Sequence, residues 1–173
     1  MTGSSERTGT EFFMQDVLKV APALLGMKII RILPDGSRVE ALITETEAYR
    51  GEEDLACHAS RGKTPRTAVM YEPGGVLYIY LIYGIHWMMN IVTAPGDIPQ
   101  AVLIRGLSSC TGPGRVSKHL MIDRSFNGES LVMSDRIWLE PGIRIPEYRS
   151  APRVGIDYAG AYWKEVPWRF IAV

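Results

Sequence analysis

Apolar residues near the N-terminal end of the chain recur at the spacing of an amphipathic helix. The positions that follow this spacing are Phe13, Val17, Val20, Leu24 and Leu25. Pro22 interrupts the pattern, because proline lacks the N–H group that a helix interior requires. We therefore predict one helix that ends near Val20 and a short second turn that stops at Gly26.

The rest of the chain alternates strand-like runs with turn-forming residues. Residues 34–37, with the sequence Pro-Asp-Gly-Ser, are typical of a tight turn between two strands. Gly84 separates two apolar runs and predicts a hairpin. The strands predicted in this way are Met27–Leu33, Arg38–Tyr49, Val76–Tyr83, Ile85–Thr93, Ala101–Leu107, Ile137–Glu140 and Arg169–Ala172.

Together these elements predict an α+β fold in a single domain. The strands follow one another without regular βαβ alternation, so we expect a curved, mostly antiparallel sheet. We also predict flanking helices, including one at Arg115–Met121, and a protruding β-hairpin with Gly84 at its tip. Residues 50–75 are polar and rich in glycine and proline, and a loop of this length within a compact domain is usually functional.

Composition fits one domain of 173 residues with 46% hydrophobic side chains. We predict a flexible N-terminus over residues 1–10 and a single domain over residues 11–173. Two cysteines, Cys57 and Cys110, allow one disulfide, but reduced thiols are the better expectation. The sequence has no zinc-type cysteine pair, no signal core and no run of 18 apolar residues. We thus expect a cytoplasmic protein, associated with the nucleoid if prokaryotic, that uses no metal, cofactor or membrane.

The charge of the chain argues against a nucleic-acid partner. Nineteen basic and nineteen acidic residues give a formal net charge of zero, whereas most nucleic-acid binders show a basic footprint. Acidic residues cluster over positions 45–54, and basic ones gather over positions 61–66 and 105–124. A basic face and a neutral surface are both compatible with this distribution.

The strand Arg38–Tyr49 carries candidate chemistry. Alternation along a strand places Ile43 on the same side as Glu45, Glu47 and Tyr49. Two carboxylates on one face repel each other, which tends to raise the pKa of one of them and suits a general base. The alternative is an ordinary strand face exposed to water, which the spacing alone favours.

The predicted hairpin is rich in aromatic side chains. Tyr78 and Tyr80 share a face of one strand, and Tyr83 lies beside the apical Gly84. An aromatic ring at a hairpin tip cannot easily reach the core, and such exposed rings often mark binding. One use is as a wedge in a stack of bases; the alternative is a tyrosine that folds back on its own strand.

These residues occur within an ordered series of motifs that resembles the alkyladenine (3-methyladenine) DNA glycosylase family. The resemblance covers roughly residues 14–173. The matching segments are Glu45–Tyr49, Glu53–Asp54 with His58, Thr64–Arg66, Pro73–Gly74, Leu77–Gly84, Met89–Ile91, Val102–Arg105, Gly112–Arg115, Ser125–Phe126 and Arg153–Ile156. A Glu-Thr-Glu tripeptide alone is weak, but the ordered series is highly specific.

The resemblance implies a role for each matched position. Glu47 corresponds to the general base that activates water, and Arg105 to the residue that helps to hold this water. Asn90 corresponds to a gate against the 2-amino group of guanine, and Tyr83 to the side chain that fills the gap in the duplex. The walls of the base pocket correspond to Tyr49, His58 and Tyr80, with Leu103 beside them. Weaker candidates for DNA contact are Lys63, Arg66, His86 and Arg115.

The resemblance therefore implies a monofunctional DNA glycosylase that acts on double-stranded DNA containing a damaged purine. We expect a monomer, because one flipped base needs one site. Expected substrates are 3-methyladenine and 7-methylguanine, with hypoxanthine and ethenoadenine as further candidates. None of the matched pocket positions is a lysine that could form a Schiff base, so we expect a water nucleophile and no lyase step.

Two departures from the family pattern stand out. Residues 106–111 are much shorter than the corresponding family segment, which would reduce the number of phosphate contacts. His86 replaces an aromatic residue that is more usual there. Two alternatives remain open: a non-catalytic protein that binds damaged DNA, and a metal-dependent hydrolase that uses Glu45, Glu47 and His58.

Overall fold

A computed structural model describes residues 6–173. Within this range the chain forms four short α-helices and nine β-strands. The helices are α1 (Thr10–Phe13), α2 (Val17–Ala23), α3 (Pro113–His119) and α4 (Ala161–Glu165). The strands are β1 (Lys28–Ile32), β2 (Arg38–Tyr49), β3 (Leu77–Ile82), β4 (His86–Thr93), β5 (Gln100–Leu107), β6 (Cys110–Thr111), β7 (Ile137–Glu140), β8 (Tyr148–Ala151) and β9 (Arg169–Ala172). Single 3-10 turns occur at His58–Arg61, Ala68–Tyr71, Arg124–Phe126 and Asp157–Ala159.

All nine strands join one sheet with the order β3-β4-β5-β2-β1-β7. Strand β6 pairs with β5, and β9 pairs with both β2 and β8. The neighbouring strands are antiparallel. This topology confirms the predicted single-domain α+β fold with a mostly antiparallel sheet.

The N-terminal helical region differs from the prediction of one helix ending near Val20. Helices α1 and α2 are separate, because Asp16 caps α2 by accepting a hydrogen bond from the backbone N–H of Leu18 at 2.9 Å. Pro22 lies inside α2 instead of ending it, within the last turn. Of the predicted flexible N-terminus, residues 1–5 lie outside the described residues. The backbone N–H of Thr8 donates to the carbonyl of Leu139, so this part of the predicted tail is bound to β7.

The two faces of the central sheet have different roles. One face packs against α2 and α3 and forms the main hydrophobic core, which includes Val20, Ile43, Ala48, Ile104 and Val116. The opposite face carries the aromatic side chains of β2 and β3. A polar site can therefore occupy this second face without disturbing the main core.

The predicted side for Ile43 is wrong, because the pairing of β2 with β5 is irregular. Ile43 pairs with Leu107, but Glu45 pairs with Gly106, so the register skips Thr44. A second shift on the partner strand skips Arg105. Such bulges change which face a side chain points to. Ile43 consequently lies in the main core, whereas Glu45 and Glu47 face the opposite side.

The short segment 106–111 forms a tight hairpin. Gly106 pairs with Thr111 and Leu107 with Cys110, and α3 begins at Pro113. Strand β6, strand β8 and helix α4 were not predicted from the sequence, since each is too short to show a clear period. Cys57 and Cys110 are free thiols. Among the described residues, no helix has the length and apolar character needed to cross a membrane.

Candidate active site

One row of side chains crosses the face of the sheet that carries the aromatic residues of β2 and β3. Tyr78 on β3 pairs with Asn90 on β4, Asn90 with Leu103 on β5, and Leu103 with Glu47 on β2. Directly opposed residues of antiparallel strands point to the same face. The register therefore brings these four residues, which are far apart in sequence, into one continuous row.

Glu47 is fully buried at the end of this row. Its Oε1 accepts a hydrogen bond from Nη1 of Arg105 at 2.9 Å, and its Oε2 accepts one from the backbone N–H of Val154 at 2.8 Å. Burial raises the pKa of the Glu47 carboxyl, while the charge of Arg105 and the Val154 N–H lower it. The carboxylate is thus deprived of water but keeps two donors that favour its charged form.

The predicted cause of this raised pKa, repulsion between Glu45 and Glu47, is wrong. Arg105 lies between the two carboxylates and also donates through Nε to Glu45 at 3.3 Å. Arg169 on β9 donates to the same Glu45 oxygen at 3.0 Å. Two guanidinium groups compensate the two carboxylates, and desolvation then dominates the pKa of Glu47.

Aromatic side chains line a cavity next to this carboxylate. Tyr49, His58 and Tyr80, the three residues that the family resemblance assigns to a base pocket, all contribute to its wall, and Tyr78 and Tyr158 join them. The rings of His58 and Tyr80 lie 4.5 Å apart between centroids, and Nδ1 of His58 is 2.9 Å from the hydroxyl of Tyr78. Flat faces of this kind suit a planar ligand.

His58 adds no positive charge to the cavity at neutral pH. Burial, aided by the nearby charge of Arg66, lowers the pKa of His58 to about 4. The imidazole is then neutral near pH 7. The cavity can therefore accept a cationic ring without repulsion from this histidine.

Asn90 and Leu103 complete the cavity and the groove that leads from it. Asn90 is buried, lines the cavity and donates through Nδ2 to the carbonyl of Tyr78 at 3.1 Å, which fixes its orientation. Leu103 lines the neighbouring groove together with Arg105 and Val154. Both hydrogen-bond partners of Glu47 therefore lie along this groove.

The β3–β4 hairpin projects a tyrosine into solvent. Tyr83 is 88% exposed and has φ of 52°, a conformation that is strained for a non-glycine residue. Gly84 follows with φ of 68°, and the N–H of Ile85 closes the turn onto the carbonyl of Ile82. Ile85 is also exposed, so the tip carries two apolar side chains, of which the sequence prediction named only Tyr83.

The predicted DNA-contacting residues fall in different places around the site. Arg66 is exposed, and its guanidinium lies 5.6 Å from the ring centroid of Tyr80, at the edge of the cavity. Lys63 lies over the ring of Tyr71 instead. His86 starts β4 and lies against Gly114, and the exposed Arg115 follows in α3. Arg66 is thus the basic residue closest to the aromatic cavity among these candidates.

Two features of the site were not predicted from the sequence. Arg153 and Asp54 form a fully buried ion pair behind Tyr49. Tyr158 is largely exposed, lines both the cavity and the groove, and donates to the carbonyl of Ala56 at 3.0 Å. The matched segments included Asp54 and Arg153, but only the fold reveals that they meet.

The geometry gives the metal-dependent alternative no ligand set. Glu45 and Glu47 are bonded to arginines, whereas His58 is bonded to Tyr78. Over residues 6–173, no three His, Cys, Asp or Glu side chains are grouped so that they could hold a metal ion.

Comparisons with known proteins show which family the chain resembles. The profile of the methylpurine-DNA glycosylase family matches residues 11–173. A protein of Myxococcus xanthus is 44% identical, over 91% of this chain and 86% of its own length. Proteins of Natranaerobius thermophilus and Borreliella burgdorferi are each 40% identical, over 92% of both chains. All three carry the name "Putative 3-methyladenine DNA glycosylase".

An aromatic cavity is suited to an unstacked base, and a buried carboxylate beside it is suited to the hydrolysis of a glycosidic bond. The fold, the site and the comparisons together define a DNA N-glycosylase, a hydrolase of DNA repair. More particularly, the chain belongs to the methylpurine-DNA glycosylase family.

Proposed function

We propose that this glycosylase extrudes a damaged purine from double-stranded DNA and hydrolyses its N-glycosidic bond with a water molecule. Its substrates are 3-methyladenine and 7-methylguanine, and they extend to hypoxanthine and ethenoadenine. One flipped base needs one site, so the protein acts as a monomer.

The observation that carries this proposal is the environment of Glu47. Its carboxylate is fully buried, and its partners Arg105 and Val154 both line the groove beside the aromatic cavity. Glu47 acts as the general base that takes a proton from water, and Arg105 helps to hold that water. The negative charge also stabilises the oxocarbenium-like transition state at C1′.

The aromatic walls select for alkylated bases. A purine alkylated at N3 or N7 carries a positive charge, which is attracted to the faces of Tyr49 and Tyr80. Neutral His58 forms a third wall without opposing this charge. A cationic base is also a good leaving group, so less acid assistance is needed than for hypoxanthine.

Asn90 excludes normal guanine by meeting its 2-amino group, and Leu103 packs beside the base. Tyr83 enters the duplex and fills the gap that the flipped nucleotide leaves, which offsets part of the flipping cost of a few kcal/mol. Arg66 contacts phosphate next to the cavity. Lys63, His86 and Arg115 supply further phosphate contacts around the hairpin.

The reaction stops at base release. No lysine lines the cavity or the groove among the described residues, so the proposal has water as the nucleophile and not an amine. Borohydride treatment during turnover tests this point, because it traps a Schiff base between protein and DNA. We expect no trapped adduct.

The deciding experiment measures release of 7-methylguanine from a duplex, detected by alkaline cleavage of the abasic site. We expect Glu47→Gln to abolish release while damaged-DNA binding is retained. Glu45→Gln is the matched control, since it removes the neighbouring carboxylate. An active Glu47→Gln variant overturns the assignment. Binding without release by the unmodified protein favours a non-catalytic damage binder, and inhibition by a chelator favours the metal-dependent alternative.

A further inference from the structure

A buried ion pair lies directly behind one wall of the cavity. Nη1 and Nη2 of Arg153 contact the two carboxylate oxygens of Asp54 at 2.6 and 2.9 Å, and both side chains have zero exposed surface. Asp54 also accepts the backbone N–H groups of Arg50 and Ala56, at 3.0 Å each. Four donors therefore surround this buried carboxylate, two from the guanidinium and two from the backbone.

Arg153 faces the ring of Tyr49. Its guanidinium carbon is 4.9 Å from the centroid of that ring, and its Nη1 donates to the carbonyl of Ala48 at 3.0 Å. Tyr49 lines both the cavity and the groove, whereas Arg153 lines neither. The ring of Tyr49 thus separates a permanent cation from the space that receives the base.

This arrangement has an electrostatic consequence for substrate choice. A guanidinium on one face of an aromatic ring draws its electron density away from the other face, and it repels a second cation directly. The carboxylate of Asp54 cancels this charge at close range. Without it, a positive charge would lie behind the wall that a cationic base must contact.

We infer that Asp54 is a specificity-determining residue, which neutralises Arg153 behind Tyr49 and so allows the cavity to bind cationic alkylated purines. This inference rests on the proposed function, in which Tyr49 is a wall of the base pocket. Asp54 touches no substrate and acts through Arg153 and Tyr49. Its removal therefore changes the choice between charged and neutral bases, and not only the rate.

The test compares a cationic base with a neutral one in the same variants. Excision of 7-methylguanine and of hypoxanthine is measured in matched duplexes under single-turnover conditions. Binding of the same duplexes is measured by fluorescence anisotropy in the Glu47→Gln background, so that the comparison does not depend on turnover. The 2-amino group of 7-methylguanine does not affect the outcome, because Asn90 is the same in every variant.

For Asp54→Asn we expect the preference for 7-methylguanine over hypoxanthine to fall about tenfold. The reason is repulsion between the Arg153 guanidinium and the cationic base, two unit charges roughly 8 Å apart in a partly screened interior. Asp54→Asn/Arg153→Gln leaves no charge behind Tyr49, and its preference should return to the original value or exceed it. Glu53→Gln is the matched control. It removes a neighbouring carboxylate that is paired with Arg50, and it should leave the preference unchanged.

An Asp54→Asn variant that retains the original preference, or that loses activity on both bases equally, overturns the inference. If Asp54→Asn does not fold, Asp54→Asn/Arg153→Lys takes its place, because it also leaves an uncompensated cation behind Tyr49. A lower preference in this variant than in Asp54→Asn/Arg153→Gln supports the inference, and an equal or higher one contradicts it. Failure of the proposed function can be told apart from failure of this inference. If the proposed function is wrong, the Glu47→Gln variant should bind damaged and undamaged duplexes equally.

Discussion

Nη1 of Arg105 donates a hydrogen bond to Oε1 of Glu47 at 2.9 Å. Arg105 is the residue of β5 that the irregular pairing with β2 leaves without a partner position. The irregular pairing allows the guanidinium to reach both Glu45 and Glu47. Gly106 makes this possible, because a Cβ there would lie 2.9 Å from Oγ1 of Thr44. The catalytic carboxylate in the proposed mechanism therefore depends on a bulge for its main charge partner.

Arg105→Gln should raise the pKa of Glu47 further, because the arginine charge that opposes the desolvation is lost. A general base works in its charged form, so the acidic limb of the pH–rate profile should move to higher pH. At neutral pH we expect a loss on the order of 100-fold in base release. Single-turnover rates between pH 5 and 9 measure both effects.

Arg169→Gln provides the control for this experiment. Arg169 contacts Glu45 at 3.0 Å, so the variant removes a nearby charge but leaves the Arg105–Glu47 contact in place. Its acidic limb should stay close to that of the unmodified protein. An equal shift in both variants would mean that overall charge, and not the direct contact, sets the pKa of Glu47.

These contacts show how far the sequence could predict the site. Strand alternation correctly placed Glu45, Glu47 and Tyr49 on one face, but it failed at Ile43, because a bulge is set by cross-strand packing and has no period of its own. The family motifs supplied only the proposed roles of single residues. They could not show that Asp54 and Arg153 pair, since the two positions are 99 residues apart and meet only in the fold.

His58 should make the protein less stable in acid. Its pKa of about 4 in the folded state lies below the ordinary value of 6.5, so the unfolded chain binds more protons between these two values. The contribution of His58 to the free energy of unfolding is complete above pH 6.5 and is lost as the pH drops towards 4, by up to about 3 kcal/mol. His58→Gln should not show this loss when urea unfolding is compared at pH 4.5 and pH 7.

The exposed His119, at the end of α3, supplies the comparison. His119→Gln should lose stability on acidification to the same extent as the unmodified protein. If His58→Gln also behaves in this way, desolvation of His58 is not what weakens the fold in acid.

Tyr83→Gly should separate stability from function at the hairpin tip. Glycine accepts the positive φ of this position, so the variant should be as stable as the unmodified protein or more stable by about 1 kcal/mol. Loss of the ring should still weaken damaged-DNA binding and slow base release, by on the order of tenfold or more for a flip that costs a few kcal/mol.

Tyr83→Ser should weaken both DNA binding and base release in the same way. Tyr83→Phe should keep both activities, and a fully active Tyr83→Gly variant would remove the intercalating role.

Asn90→Ser should weaken discrimination against guanine. The side chain of Asn90 is buried and held by its 3.1 Å bond to the carbonyl of Tyr78, so it cannot move aside for a 2-amino group. Guanine and hypoxanthine differ only in that group. Relief of a steric clash of about 1–3 kcal/mol should raise excision of guanine relative to hypoxanthine by roughly 5- to 150-fold. Release of 7-methylguanine, which has the same amino group, should also accelerate, whereas that of hypoxanthine should not. Equal acceleration of all three bases would instead indicate that Asn90 limits entry to the cavity in general.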